Sequence, residues 1–367
     1  MDTFLACGCR EQGRPSAPFV SGDASPPAAA GTLPWSADRR ALAALAALAA
    51  RPAEALALSM HAPFCHVRCL CCARVVLAAQ PGAVIADHVD GLVDEIAQLA
   101  RHIGGTREVL AWHLGGGTAD ELSQAQLARL VQAVQDCWTL PAEAELSLDA
   151  DPRQLGETCL LGWRALGFRE LRLRVFDLDD QVQQAIGRHH STALVDDVCD
   201  SARRSGFECI EIDLVAGLPR QTAARWAHTL GAVVGLAPDR VGLRFYRHRP
   251  QTAPVQCGID ADSLPDAQAC AGLAELAAQR LGEAGYRRVH AGCYVLEGDP
   301  LAVAAAQGRL RRSPVGCSAA AVGAVLAVGP GAIGELDGCV LGNEPDPARW
   351  RAAVRAGRLP VVEFRSH

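Results

Sequence analysis

Between residues 55 and 284 the chain repeats one period six times: a short apolar run, a turn, then a longer amphipathic run. Apolar runs with the look of buried parallel strands cover Ala55–His61, Glu108–Leu114, Ala144–Asp149, Glu170–Val175, Cys209–Val215 and Arg240–Phe245. Helical patterns follow at Ile85–Ile103, Leu122–Cys137, Gln154–Leu166, Asp180–Ser205, Thr222–Val234 and Asp266–Ala284, and a further helix is expected over Ala37–Ala50. Successive βα units imply a parallel sheet with right-handed crossovers. A complete or partial barrel is the natural closure, and chemistry in such folds sits at the C-terminal ends of the strands. The period predicts an α/β chain with an N-terminal arm and helix over 1–50, a core barrel over 51–290 and an extension over 291–367. After Gly285 the pattern weakens; 316–334 is rich in Gly and Ala, and 335–367 reads as a short tail.

Residues 1–35, rich in Pro, Gly, Ser and Ala, read as an extended arm. They lack the basic and apolar regions of a signal peptide. No apolar run is long enough to span a bilayer, so a cytoplasmic location is expected. In that setting fifteen cysteines argue for metal or redox chemistry rather than a disulfide framework. The net charge is −6, without the basic stripe that accompanies nucleic-acid binding. All 35 basic residues are arginine, a bias read as compositional because alanine is also in excess.

Cysteines follow the first predicted strand directly. The segment from Leu58 reads L-S-M-H-A-P-F-C-H-V-R-C-L-C-C, with Cys65, Cys69 and Cys72 in C-x3-C-x2-C spacing. Three thiolates hold three corners of a [4Fe–4S] cube, whereas most such clusters take four. The fourth iron is then open to a small-molecule ligand. A structural zinc site is the competing assignment, with His61, His66 or Cys71 as the fourth ligand. Other polar motifs stand at the remaining strand ends. These are His113-Leu-Gly-Gly-Gly-Thr118, Ser147-Leu-Asp149-Ala-Asp151-Pro152, Gly187-Arg188, Ile212-Asp213-Leu-Val-Ala-Gly217-Leu-Pro219, Phe245-Tyr246-Arg247 and, later, Gly329-Pro-Gly-Ala-Ile333. A glycine run brings backbone close to a ligand. Asp151 is read as a cap of the following helix.

Taken in order, these motifs resemble those of the oxygen-independent coproporphyrinogen III oxidases, a branch of the radical S-adenosylmethionine (SAM) enzymes, from about residue 15 to the C-terminus. The resemblance implies a (β/α)6 partial TIM-like barrel. It implies a [4Fe–4S] cluster on Cys65, Cys69 and Cys72, whose open iron chelates the methionine end of SAM. Gly116, Gly117 and Thr118 then contact that end, Asp149 the amino group, Arg188 a carboxylate and Asp213 the ribose or adenosine. Ser59 and Cys71 stand at positions that pack near SAM, Arg247 on its adenine side, and Ile333 against it. An electron from the cluster cleaves SAM to a 5′-deoxyadenosyl radical. That radical takes a hydrogen from the β-carbon of a propionate, and loss of CO2 and one electron leaves a vinyl group. The resemblance further implies a tetrapyrrole substrate, an external donor such as flavodoxin or ferredoxin, and a monomer.

Several positions depart from the family pattern. Ser59 replaces a tyrosine, Asp149 a glutamate, and Arg74 a cysteine two residues past the last ligand. Period-2 alternation puts Arg172, Arg174 and Phe176 on one face of the fourth strand, where the family has small residues and a glutamine. Gly316-Cys-Ser-Ala replaces a glycine–tyrosine–threonine stretch. The chain stops at His367, near where the family's helical C-terminal domain begins. These departures leave a second reading open, a haem-binding, haem-delivering or degenerate relative without oxidase activity.

Overall fold

Strands of the repeat are buried on both faces along most of their length, as parallel strands covered by their own crossover helices must be. The computed structural model describes residues 36–366 apart from 75, 105, 314 and 315; the arm expected over 1–35 lies outside them. Helix α1 (Ser36–Ala49) leads into β1 (Leu56–Ala62) and α2 (Gly82–Ile103). Then follow β2 (Val109–Gly116), α3 (Gln124–Cys137), β3 (Glu145–Ala150), α4 (Glu157–Ala165) and β4 (Glu170–Phe176). Two helices, α5 (Asp180–Ile186) and α6 (Thr192–Arg204), precede β5 (Cys209–Ala216). The repeat ends with α7 (Ala223–Leu236), β6 (Arg240–Phe245) and α8 (Ala267–Glu283). Capping sets several helix starts: Ser123 and Gln126 form a reciprocal capping box on α3, and the Asp179, Ser191, Thr222 and Asp266 side chains accept first-turn N–H groups of α5 to α8.

Six parallel strands, β1 to β6, lie side by side in chain order. The sheet remains open, because the far edge of β1 pairs with a later strand and not with β6. The partial barrel expected from the repeat is therefore the architecture observed. Beyond β6 a hairpin, β7 (Tyr286–His290) and β8 (Cys293–Leu296), adds antiparallel strands. After α9 (Pro300–Ala306), a separate hairpin joins β9 (Arg311–Ser313) to β10 (Gly316–Ser318).

The C-terminal stretch is more ordered than its composition suggests. Ala324–Val328, lying between glycines, is a seventh parallel strand, β11, registered against β1 from Leu56↔Ala324 to Met60↔Val328. Gly and Ala weaken the strand signal there, and burial between β1 and its next neighbour supplies what local propensity does not. The supposed tail holds β12 (Ile333–Leu336), β13 (Cys339–Asn343), α10 (Pro347–Arg355) and β14 (Val361–Ser366).

One buried carboxyl ties this stretch to the barrel. Glu95 on α2 is 1% exposed and accepts hydrogen bonds from Gly329 N (2.7 Å), Asn343 Nδ2 (2.7 Å) and Trp350 Nε1 (2.9 Å). Burial pushes it up to about 7 in spite of those three donors. A raised folded-state value means that Glu95 favours folding most at low pH. Its contribution falls as pH rises from its ordinary 4.5 through about 7. Glu95→Ala strands three buried donors and is expected to destabilise the fold by about 3 kcal/mol in urea denaturation. Glu95→Gln is expected to flatten the pH dependence of stability between about pH 5 and 8.

Candidate functional site at the strand ends

The cysteine loop leaves β1 and is sewn onto the end of β2. Phe64–Cys65 pairs in parallel with Leu77–Ala78, closing the loop on itself. Gly117 N donates to Ala62 O and Thr118 N to Phe64 O, both at 2.8 Å. The approach at Gly117 admits no side chain, since a Cβ there would stand 1.8 Å from Phe64 O. Gly117→Ala is therefore expected to cost about 3 kcal/mol by overpacking against backbone. It should also lower iron uptake, both read by thermal unfolding and iron analysis of the purified protein. On its outer side the loop is held by Leu70 N donating to Ile186 O at 2.9 Å. Leu70 and Cys71 pack against Val182, Ile186, Leu218 and Ile259.

Cys69 is buried and Cys65 and Cys72 are half-buried. Burial, with Cys72 and Cys69 adding to it, pushes the Cys65 thiol up to about 12. Among the described residues no three His, Cys, Asp or Glu side chains are gathered to hold one metal ion. A cubane presents its irons at separate corners, so thiolates that ligate it stand apart and do not converge on a point. An arginine faces the set: Arg188 Nη1 lies 3.3 Å from Cys69 Sγ and donates to Asp151 Oδ2 at 3.1 Å. Arg188 also donates to the Arg174 carbonyl and lies 4.8 Å above the Phe176 ring. Asp151 caps Arg153 N, as its sequence context predicts, and in addition forms a two-point ion pair with the Arg153 guanidinium at 2.9 and 2.6 Å.

Beneath the loop, charged side chains line the concave face of the sheet. Leu171, Leu173 and Val175 of β4 face the helices and are fully buried, which turns Arg172 and Arg174 inward, each 8% exposed. Strict alternation stops there. The register with β5 shifts between Arg174 and Phe176, and Phe176 takes φ +75°, a strained conformation for an aromatic residue. Its ring joins the apolar cluster under Leu70 and Cys71.

Arg174 bridges two strands, pairing with Asp149 Oδ2 on β3 and, at 3.1 Å, with Asp213 Oδ2 on β5. Arg244 on β6 reaches the same Asp213 oxygen at 3.2 Å, and Arg172 lies 3.3 Å from Glu211. Burial opposes charge on Asp149, but the Arg174 guanidinium, followed by His113, outweighs it and holds the carboxyl well below its ordinary range. Asp149 Oδ1, Asp213 Oδ1 and Ser59 Oγ are buried with no hydrogen-bond partner. Such orphaned atoms are what a ligand rich in donors would satisfy.

At the mouth of β2, the His61 ring lies so close to Gly116 that a Cβ there would stand 2.9 Å from it. Burial, with Arg74 nearby, pushes His61 down to about 3, so the ring is neutral and its Nδ1 donates to Pro330 O at 3.2 Å. Arg74 Nη1 reaches the Gly116 carbonyl at 3.4 Å.

Most residues singled out from the sequence meet here: the cysteine loop, Gly116, Gly117 and Thr118 on one side, Asp149, Arg188 and Asp213 on the other. Arg247 is exposed in the loop after β6, and Ile333 is half-buried at the start of β12. Sequence reasoning did not single out Arg244, and it named Arg74 only as a departure from the family pattern and His61 only as a possible zinc ligand. For Arg74 and Arg244 no spacing rule carries the signal, because they meet only when β1, β2 and β6 are aligned.

The comparisons agree with this geometry. Residues 59–232 match the family profile described as the radical SAM superfamily. The oxygen-independent coproporphyrinogen III oxidase of Escherichia coli strain K12 is 32% identical over 322 residues, covering 88% of this chain and 70% of the relative. Its counterpart from Cereibacter sphaeroides is 31% identical across 86% of this chain and 70% of the relative. The solved structure of coproporphyrinogen III oxidase from Escherichia coli, a radical SAM enzyme, aligns with a TM-score of 0.82 at 29% identity, covering 88% of this chain and 74% of that one. With that identity spread over most of both chains, and a thiol loop, glycine run and inward-facing acids at consecutive strand ends, the chain belongs to the oxygen-independent coproporphyrinogen III oxidase family of radical SAM enzymes.

Proposed function

We propose that this protein is an oxidoreductase of porphyrin biosynthesis that decarboxylates propionates of coproporphyrinogen III to vinyl groups, giving protoporphyrinogen IX. The observation that carries the proposal is the seating of the Cys65–Cys72 loop on Gly117 and Thr118, with Arg188 against Cys69 and orphaned acid oxygens below. In this reading Cys65, Cys69 and Cys72 hold a [4Fe–4S] cluster. Gly116, Gly117, Thr118, Asp149, Arg188 and Asp213 hold SAM, with Ser59, Cys71, Arg247 and Ile333 flanking it. When bound, cluster and SAM together supply a 5′-deoxyadenosyl radical able to take a hydrogen atom from an unactivated carbon.

The chain's own residues do the positioning. Arg188 sets its positive charge beside the Cys69 sulfur, where it would face the negative charge of a sulfur bound to iron. Asp151 holds that arginine from the other side. Gly116 and Gly117 keep side chains away from the ligand's approach, and the apolar cluster of Val182, Ile186, Leu218 and Ile259 keeps water from the outer wall of the loop. A ferredoxin or flavodoxin is the proposed donor, and the working unit a monomer. No helix among the described residues is long and apolar enough to cross a membrane.

A second reading is favoured by one feature: Arg174 already sits on Asp149, the acid proposed for the amino group of SAM. A haem-binding relative without oxidase activity would tolerate that pairing. One experiment separates the two. Protein reconstituted with iron and sulfide without oxygen is reduced with SAM present, and 5′-deoxyadenosine is assayed with and without coproporphyrinogen III. Deoxyadenosine with vinyl product supports the oxidase; haem binding without SAM cleavage supports the second reading.

A further inference from the structure

Among the described residues at the mouth of the sheet, Arg172 pairs with Glu211, and of the arginines beside it one is left without a carboxylate. Three guanidinium groups, those of Arg74, Arg174 and Arg244, face two carboxylates, Asp149 and Asp213. Arg174 engages both acids, and Arg244 shares Asp213. Arg74 has no ion pair among the described residues; its contact there with an acceptor is the long 3.4 Å one to the Gly116 carbonyl. A guanidinium offers five N–H donors in a planar fork. Holding one half-buried beside two others, with a single weak acceptor, is unfavourable unless an anion arrives.

The position is also specific. Arg74 follows Cys72 by two residues, and its side chain turns back to the end of β2, within electrostatic range of His61 and Asp149. His61 is neutral and donates to Pro330, so it brings no negative charge. Asp149 and Asp213 are already committed through their Oδ2 atoms to Arg174. The orphaned Oδ1 atoms of these acids call for donors, whereas the unmet demand of Arg74 is for an anion with two acceptor oxygens.

We infer that Arg74 is a carboxylate-binding residue of this site, completed by an ion pair with a carboxylate of the bound small molecule. The inference rests on the proposed function for the identity of the ligands. Two of them carry the right group: SAM, through the methionine carboxylate that Arg74 would then share with Arg188, and the tetrapyrrole, through its propionates.

The test uses the full-length, cluster-reconstituted protein and the variants Arg74→Gln and Arg74→Lys, matched for iron content and melting temperature. Equilibrium binding is measured for SAM and for coproporphyrin III. Each is paired with a probe lacking the carboxylate, methylthioadenosine for the first and the tetramethyl ester for the second. Loss of one charge-assisted contact is expected to weaken one acid probe about tenfold to a hundredfold in Arg74→Gln. The paired neutral probe should be unchanged, and Arg74→Lys should recover part of the loss. Whichever acid probe weakens identifies the source of the carboxylate. Unchanged binding of both acid probes, or equal losses for acid and neutral probes, overturns the inference while leaving the proposed function standing. Wild-type protein that binds neither acid probe overturns the proposed function, and this inference with it.

Discussion

Replacing Cys65, Cys69 or Cys72 with alanine is expected to reduce SAM cleavage to the background rate and to leave a protein that takes up little iron. Each cysteine is the sole proposed tether of one corner of the cube, and the thiolate is the group that binds iron. The folded state should survive the change. Two of the three thiols are half-buried in a loop, and the loop's anchors are elsewhere: Leu77 and Ala78 pairing with Phe64 and Cys65, Leu70 N on Ile186 O, and Thr118 N on Phe64 O. Cys71→Ala is the control. That side chain packs with Leu70 toward Val182, Ile186, Leu218 and Ile259, so its loss should leave iron content unchanged. Iron and sulfide analysis with visible absorbance checks cluster loading, and deoxyadenosine formation checks turnover. Loss of iron in Cys71→Ala with retention in Cys72→Ala would mean that the ligand set is misassigned.

Arg174→Met should have the largest effect on stability, about 3–5 kcal/mol by urea denaturation at pH 7, because it leaves two buried carboxylates without their shared cation. The pH dependence has a definite sign. In the wild type Asp149 is held below its ordinary 3.8, so its ion pair stabilises the fold above that pH and the benefit is lost as pH falls through the folded-state value. Without Arg174, burial outweighs the remaining cations around Asp149 and raises it, while Asp213 keeps its ion pair with Arg244. The variant should then regain stability as pH falls, the reverse of the wild type. In the double variant with Asp149→Asn the two losses should not add, since the second change removes a charge that the first left unpaired. The same variant bears on function. If Asp149 receives the amino group of SAM, removing Arg174 frees its Oδ2 and should tighten SAM binding in those molecules that remain folded.

How far the fold was legible follows from which forces are local. The six βα units were readable because buried strands and amphipathic helices write their periods directly into sequence, and their observed bounds fall within a few residues of those expected. The strand at Ala324–Val328 was not readable. Its residues are small, and what makes them a strand is an open edge of β1 more than two hundred residues earlier in the chain. The sequence alone determined the family, the thiol loop and the glycine run, since each is a contiguous motif set by the chemistry it must perform. Tertiary structure alone decided what the arginines do. Period-2 alternation predicted that Arg172 and Arg174 share a face, but not that Arg174 would span Asp149 and Asp213, that Phe176 would leave that face through a register shift, or that Arg74 would have no carboxylate partner among the described residues. Ion pairing depends on distances between strands, and those distances are set by how the whole sheet packs, which no local stretch of sequence contains.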